Sequence, residues 1–331
     1  MTKRIRTETE LIETYLAPLT RGAAGAFGLR DDAALIETEE GVDLVVTNDP
    51  VRAGVHFFAD DDARDIAWKA LAVNVSDLVA KGAEPVGYVM ALAFPEPPLA
   101  RWMDRFALGL KEAQDAFGIQ LLGGDTDRSG GPLSVSVTAF GAVPRDGFVP
   151  RSGARAGDHV LVSGTLGDAA LGLKLRAGGQ ESGLGEAHRA HLVGRYLRPE
   201  PRLALIPVLR SYATAALDVS DGLVKDLTRL AAAAGAGIEV RYSALPLSGA
   251  VRAASVNSPT TVEQAVLGGG DDYEVLFAVT DADLADVLAE AEAVGVPVTE
   301  IGILQPGAGV RVTGDTGDDM TPSETGFDHF S

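Results

Sequence analysis

Residues 119–142, IQLLGGDTDRSGGPLSVSVTAFGA, decide the fold class. Ile119 to Leu122 is a short apolar run, Gly123 to Gly131 is a loop rich in glycine and aspartate, and Leu133 to Ala142 alternates at the two-residue period of a half-buried strand. Strand, polar loop and strand therefore follow one another. Upstream, Val86 to Phe94 is a further apolar strand and Leu99 to Phe117 repeats apolar residues at helical spacing. Strands interleaved with helices in this way predict an α/β chain of the α+β type, with mixed sheets and flanking helices.

The pattern extends in both directions. Toward the N-terminus, residues 7 to 20 read as an amphipathic helix, Ala33 to Ile36 and Leu44 to Thr47 as short strands, and Asp62 to Lys81 as a helix. The segment Pro144 to Gly157 is rich in Gly, Pro and Arg, which marks a boundary near residue 150 and divides the chain into domains 1–150 and 151–331. Two domains are also what 331 residues lead one to expect. Beyond the boundary come a strand from His159, helices around 167–177, 186–197 and 201–210, and a strand running into Asp218. A helix from Asp221 to Ala234, a strand at Ile238 and further alternation of the two follow.

Composition narrows the function. The chain has 28 Lys and Arg against 47 Asp and Glu, a formal net charge of -19, which repels nucleic acid and anionic membrane surfaces. No run of about 18 apolar residues offers a membrane span, and the start passes from basic to acidic without an apolar signal region, so cytoplasm is the expected location. With no cysteine there is no disulfide, thiolate zinc site or cysteine nucleophile. A chain this acidic binds phosphate most readily through a divalent cation placed between carboxylates and phosphate oxygens.

Five acidic groups recur at predicted strand ends or in the adjoining loops: Asp31-Asp32, Asp49, Asp125 with Asp127, Asp218 with Asp221, and Asp271-Asp272. Converging carboxylates must raise their pKa values or bind cations. Taken singly, each has a plainer reading: Asp31-Asp32 as a solvated turn, and Asp218 to Asp221 as a helix N-terminus with one aspartate capping. Asp77 differs, because Asn74, Asp77 and Lys81 form a polar stripe through an otherwise apolar helix, which predicts a buried or cleft-lining carboxylate. Gly123-Gly124-Asp125 and Gly268-Gly269-Gly270-Asp271 allow backbone amides to approach phosphate. No P-loop or dinucleotide fingerprint is present. His56 either touches substrate or packs beside Phe57, and Arg151 either clamps phosphate or decorates a linker.

These motifs together resemble the thiamine-monophosphate kinase family, of the superfamily that includes aminoimidazole ribonucleotide synthetase. The resemblance is carried by Gly28-Leu-Arg-Asp-Asp, Asp49-Pro-Val-Arg-Ala-Gly-Val-His-Phe57, Trp68 to Asp77, Gly82-Ala-Glu-Pro85 and Gly123-Gly-Asp-Thr126. It continues through Arg151-Ser-Gly-Ala154, Asp218-Val-Ser-Asp-Gly-Leu223, Gly269 to Glu274 and Gly326-Phe-Asp-His-Phe330. It implies the two-domain aminoimidazole ribonucleotide synthetase-like fold and direct, Mg²⁺-assisted transfer of the ATP γ-phosphate to thiamine monophosphate. By the same resemblance Asp32, Thr47, Asn48, Asp49, Asp77, Asp125, Asp218 and Asp221 fall at metal-ligand positions. Gly124, Asp125, Arg151 and Ser220 fall at nucleotide contacts, and His56, Asp271 and Phe327 at substrate contacts. Asp125 and Arg151 are the residues expected to act on the transferring group.

The chain departs from the family in three places. Asn48 stands where Thr is usual, Asp271 is one methylene shorter than the usual Glu, and Asp127 adds a carboxylate to its loop. The resemblance further implies a homodimer built largely by the N-terminal domains. An aminoimidazole ribonucleotide synthetase and a catalytically inactive nucleotide-binding relative remain the alternatives at this stage.

Overall fold

A computed structural model of the chain describes residues 8–23, 26, 36, 38–179, 183–323 and 326–327. The expected strand at 33–36, apart from Ile36, and the pair Asp31-Asp32 lie outside the described residues. Helical turns run from α1 (Glu8–Leu11) to Thr20, burying Leu11, Leu16 and Leu19. The chain divides into two compact units, one of Met1–Leu78 with Ala83–Asp146 and one of Val79–Gly82 with Gly147–Ser331.

The first unit is built on four strands: β1 (Val42–Arg52), β2 (Glu84–Phe94), β3 (Gln120–Arg128) and β4 (Ser134–Pro144), in the order β1-β4-β2-β3. Its helices are α2 (Ala63–Ala80) and α3 (Ala100–Phe117). β4 pairs antiparallel with β1 and β2, while β2 and β3 are parallel and joined through α3, since a parallel pair needs a long crossover. The alternation read in residues 133–142 is literal: Val135, Val137, Ala139, Gly141 and Val143 are buried, and the residues between them are half-exposed. α3 buries Met103, Phe106, Leu110, Ala113 and Phe117 at spacings of three and four, and ends at Gly118 in the left-handed conformation.

The glycine-rich segment corrects the sequence reading. Gly123 to Arg128 is the second half of β3, paired residue for residue with Val89 to Phe94, and only Ser129 to Leu133 forms the connection to β4. Close approach explains the glycine, because a Cβ at Gly124 would stand 1.9 Å from the Met90 carbonyl oxygen.

The second unit carries six strands: β5 (His159–Ser163), β6 (Ala213–Asp218), β7 (Gly237–Arg241), β8 (Val275–Val279), β9 (Val298–Gln305) and β10 (Gly309–Thr313). Their order is β10-β7-β9-β5-β8-β6, antiparallel except for β10 with β7. Every side chain of β8, Val-Leu-Phe-Ala-Val, is buried, as a central strand covered on both faces requires. The helices are α4 (Asp168–Arg176), α5 (Glu186–Leu197), α6 (Ile206–Tyr212), α7 (Leu223–Ala234), α8 (Gly249–Ser255), α9 (Pro259–Gly268) and α10 (Leu284–Ala293). α7 presents Leu223, Leu227, Leu230 and Ala231 to a core that includes Val240 and Leu276.

Candidate functional site

In the first unit the acidic residues are placed by one strand and one buried helix. β1 is an edge strand, and at Asp49 its free side is closed by a side chain: Asn74 Oδ1 accepts the Asp49 N–H at 2.9 Å and Asn74 Nδ2 donates to the Asp49 carbonyl at 3.2 Å. The amide does what a neighbouring strand would do. One turn later, Thr47 Oγ1 donates to Asp77 Oδ2 at 2.5 Å. The polar stripe on α2 therefore faces β1, with Asn74 fully buried and Asp77 half-buried.

Strand alternation sorts the remaining residues by face. Thr47 and Asp49 share a face with the buried Val51, and Asn48 points the other way, donating to Thr138 Oγ1 at 2.8 Å and to the Val137 carbonyl at 2.9 Å. Asp125 lies in the same cross-strand row as Ala91, Ser136 and Pro50, two rows from that of Asn48 and so on the same face of the sheet. Asp49, Asp125 and Asp127 are exposed. Asp125 accepts the Thr126 N–H at 2.9 Å and Asp127 the Arg128 N–H at 2.6 Å. His56 follows β1 in a tight turn, its Nδ1 accepting the Arg52 N–H at 3.1 Å, which leaves Nε2 to carry the proton of the neutral ring.

In the second unit three segments are tied together by their backbones. Asp218 ends β6; the Asp271 N–H donates to the Ser220 carbonyl and the Tyr273 N–H to the Val219 carbonyl, both at 2.9 Å. The Phe327 N–H donates to the Asp221 carbonyl at 2.9 Å. Ser220, Asp221, Asp271 and Phe327 are thus brought together. Gly270 is needed for this closure, since a Cβ there would lie 2.4 Å from the Ser220 carbonyl oxygen. Asp271 and Tyr273 both adopt positive φ, 70° and 49°, a strained conformation that the surrounding bonds hold in place. Arg151 is exposed, beside Pro150, whose carbonyl accepts the Ala216 N–H of β6 at 3.0 Å.

Several acidic residues turn out to be supports. Asp226, buried in α7, accepts the N–H groups of Ser220 and Asp221, each at 3.1 Å, so neither Asp218 nor Asp221 caps that helix. Burial pushes the Asp226 carboxyl up, and Arg229 opposes the shift. Asp221 itself is ion-paired with Arg229 and with Lys225 at 3.1 Å. Lys225 also donates to the Phe327 carbonyl. Asp272 is fully buried and accepts the N–H groups of Gly167 and Ala169 at the start of α4, while burial pushes its carboxyl up to about 8. Glu274 is fully buried between Arg195 and Arg202 and accepts from Ser163 at 2.6 Å.

Asp226 carries no local sequence signal that separates it from an ordinary helix surface residue. Asn74 was visible as part of the stripe, but its pairing with Asp49 depends on a contact 25 residues away. Among the described residues, no three acidic or histidine side chains stand close enough to hold a metal ion by themselves. Asp32 lies outside the described residues.

Residues 30–143 match the family described as AIR synthase related protein, N-terminal domain, and residues 155–315 match its C-terminal domain. A thiamine-monophosphate kinase of Caulobacter vibrioides is 42% identical over 325 residues, covering 98% of this chain and 91% of that one. The crystal structure of thiamine-monophosphate kinase from Stenotrophomonas maltophilia is similar with a TM-score of 0.81 at 40% identity, over 90% of this chain and 96% of that chain. The structure of AaThiL complexed with AMPPCP and TMP has a TM-score of 0.77 at 33% identity, over 98% of this chain and 99% of that chain.

Proposed function

The chain belongs to the thiamine-monophosphate kinase family, and we propose that it transfers the γ-phosphate of ATP to the phosphate of thiamine monophosphate, giving thiamine diphosphate and ADP. The observation that carries this reading is a likeness extending through both acid-bearing units. The acceptor is a phosphate oxygen that is already ionised, so the protein needs no general base. Its task is to align two anions and offset their charge.

The donor set suits Mg²⁺, because carboxylate, amide and hydroxyl oxygens are the hard ligands that ion takes. Asp32, Thr47, Asn48, Asp49, Asp77, Asp125, Asp218 and Asp221 are assigned to it, and the bound ions would neutralise phosphate charge. The 2.5 Å contact of Thr47 with Asp77 and the exposed carboxylates of Asp49 and Asp125 support this. Gly124, Asp125, Arg151 and Ser220 are assigned to ATP, and His56, Asp271 and Phe327 to the acceptor. Arg151 would add positive charge at the transferring group.

The first unit is assigned metal and nucleotide binding and dimer formation, the second the remaining acidic loops. A homodimer is supported by the open face of the four-stranded sheet, where Leu44 is 39% and Val46 57% exposed. No described helix is long and apolar enough to cross a membrane. We place the enzyme in the cytoplasm, where ATP for biosynthesis is available. Steady-state ADP release with thiamine monophosphate, ATP and Mg²⁺ tests the function. It is expected to stop when either thiamine monophosphate or Mg²⁺ is withheld, and release independent of both contradicts the reading.

A further inference from the structure

Asp221, assigned to Mg²⁺ above, already has cations at its carboxylate. Lys225, in the first turn of α7, pairs with its Oδ2 at 3.1 Å, and Arg229, one turn further on, pairs with the same oxygen. Arg229 also holds Asp226 at 2.6 Å. Two carboxyl groups thus face two cations before any metal arrives. The side chains of Lys225 and Asp221 are only 25% and 22% exposed, so solvent screens their pairing less than it would a surface pair.

The same lysine makes a second bond. Its ammonium donates to the Phe327 carbonyl, while the Phe327 N–H donates to the Asp221 carbonyl at 2.9 Å. Gly326 permits this approach, since a Cβ there would stand 2.5 Å from the Asp221 carbonyl oxygen and 2.8 Å from Lys225 Cβ. One ammonium therefore joins a residue assigned to the metal with a residue assigned to the acceptor. The loop itself is shaped by other groups: Asp226 accepts the Ser220 and Asp221 N–H groups, and Arg229 braces Asp226.

We propose that Lys225 is a positioning residue that competes with Mg²⁺ for Asp221 while it holds Phe327 in place for the acceptor, a role that rests on the kinase reading and its assignments above. The ammonium repels a divalent cation at Asp221 and so weakens metal binding there. Nucleotide phosphates bring negative charge that offsets this repulsion, which couples metal uptake at Asp221 to ATP. The bond to the Phe327 carbonyl works in the opposite sense, favouring acceptor binding by tying that backbone to the loop.

The test compares the full chain with Lys225→Met, which removes charge and donor, and Lys225→Arg, which keeps both. For Lys225→Met, half-saturation by Mg²⁺ in initial rates is expected to fall about fivefold and KM for thiamine monophosphate to rise about fivefold. Opposite shifts mark the dual role, because a merely loosened loop would weaken both. Lys225→Arg is expected to stay within about twofold of wild type in each constant. The rise of the thermal midpoint with added Mg²⁺, in the absence of substrates, reads metal binding apart from turnover and is expected to be larger in Lys225→Met than in wild type. The proposal is overturned if the half-saturation does not fall, the KM does not rise, the midpoint shift is no larger, or Lys225→Arg behaves as Lys225→Met. With wild-type turnover intact, any of these leaves the kinase reading standing. If the wild type shows no acceptor-dependent turnover, the kinase reading fails and the midpoint shift alone decides: a larger shift in Lys225→Met supports the competition, and an equal or absent one overturns it. Should Lys225→Met not fold, Lys225→Gln, which also removes the charge, replaces it, and failure of both to fold makes Lys225 structural and overturns the proposal.

Discussion

Thr47 donates its hydroxyl to Oδ2 of Asp77 across 2.5 Å, joining the edge strand of the first sheet to a helix residue that stays half-exposed among buried neighbours. The carboxylate is therefore oriented before any ligand arrives, which removes reorganisation from the binding step.

Separating the two partners should separate stability from activity. Thr47→Val removes one side-chain hydrogen bond and is expected to cost about 1 kcal/mol in urea unfolding. Asp77→Asn keeps the size of the side chain and a carbonyl oxygen that can still accept the Thr47 proton, but loses the charge. It is expected to lower kcat about a hundredfold or more with a nearly unchanged unfolding midpoint.

Asp49 and Asp125 are exposed, and their side chains contribute little to the core. Asp49→Asn and Asp125→Asn are expected to fold as wild type and to need more Mg²⁺ for half-maximal turnover. A Mg²⁺ titration of initial rates reads this directly, and an unshifted midpoint in both variants would remove them from the metal set.

Glu274 is a structural residue in a motif that reads as functional. Glu274→Ala leaves Arg195 and Arg202 without their shared buried counter-charge and is expected to destabilise the chain by about 3–5 kcal/mol in denaturant unfolding.

Asp272 gives a signed pH dependence. Its folded value, near 8, lies above the ordinary carboxylate value of 3.8, so between these pH values the folded chain keeps a proton that the unfolded chain has lost. Stability from this group therefore declines as pH rises from about 4 to about 8 and is level beyond. Asp272→Asn does not titrate, so its unfolding free energy should fall less steeply over that window. Parallel curves for the two proteins would contradict the shift.

Much of this was legible in the residues themselves. The alternation of Leu133 to Ala142, the helical spacing of Leu99 to Phe117 and the polar stripe at Asn74 and Asp77 are local patterns, and the structure keeps each of them. Segments whose partner decides their form were harder. Gly123 to Arg128 looks like a loop because glycine and aspartate disfavour strands, yet parallel pairing with β2 overrides that preference. The same limit applies to the acids: Asp226, Asp272 and Glu274 are spent on backbone N–H groups and buried arginines, and nothing in a linear run of carboxylates separates these from the exposed Asp49 and Asp125. The strained φ of Asp271 likewise arises from tethers to Ser220 and Val219, some fifty residues away in the chain.

The most direct measurement incubates the purified chain with ATP, Mg²⁺ and thiamine monophosphate and quantifies both nucleotide and thiamine species by chromatography. Thiamine diphosphate and ADP are predicted to accumulate in equal amounts. ADP without thiamine diphosphate, or neither product, would contradict phosphoryl transfer to this acceptor.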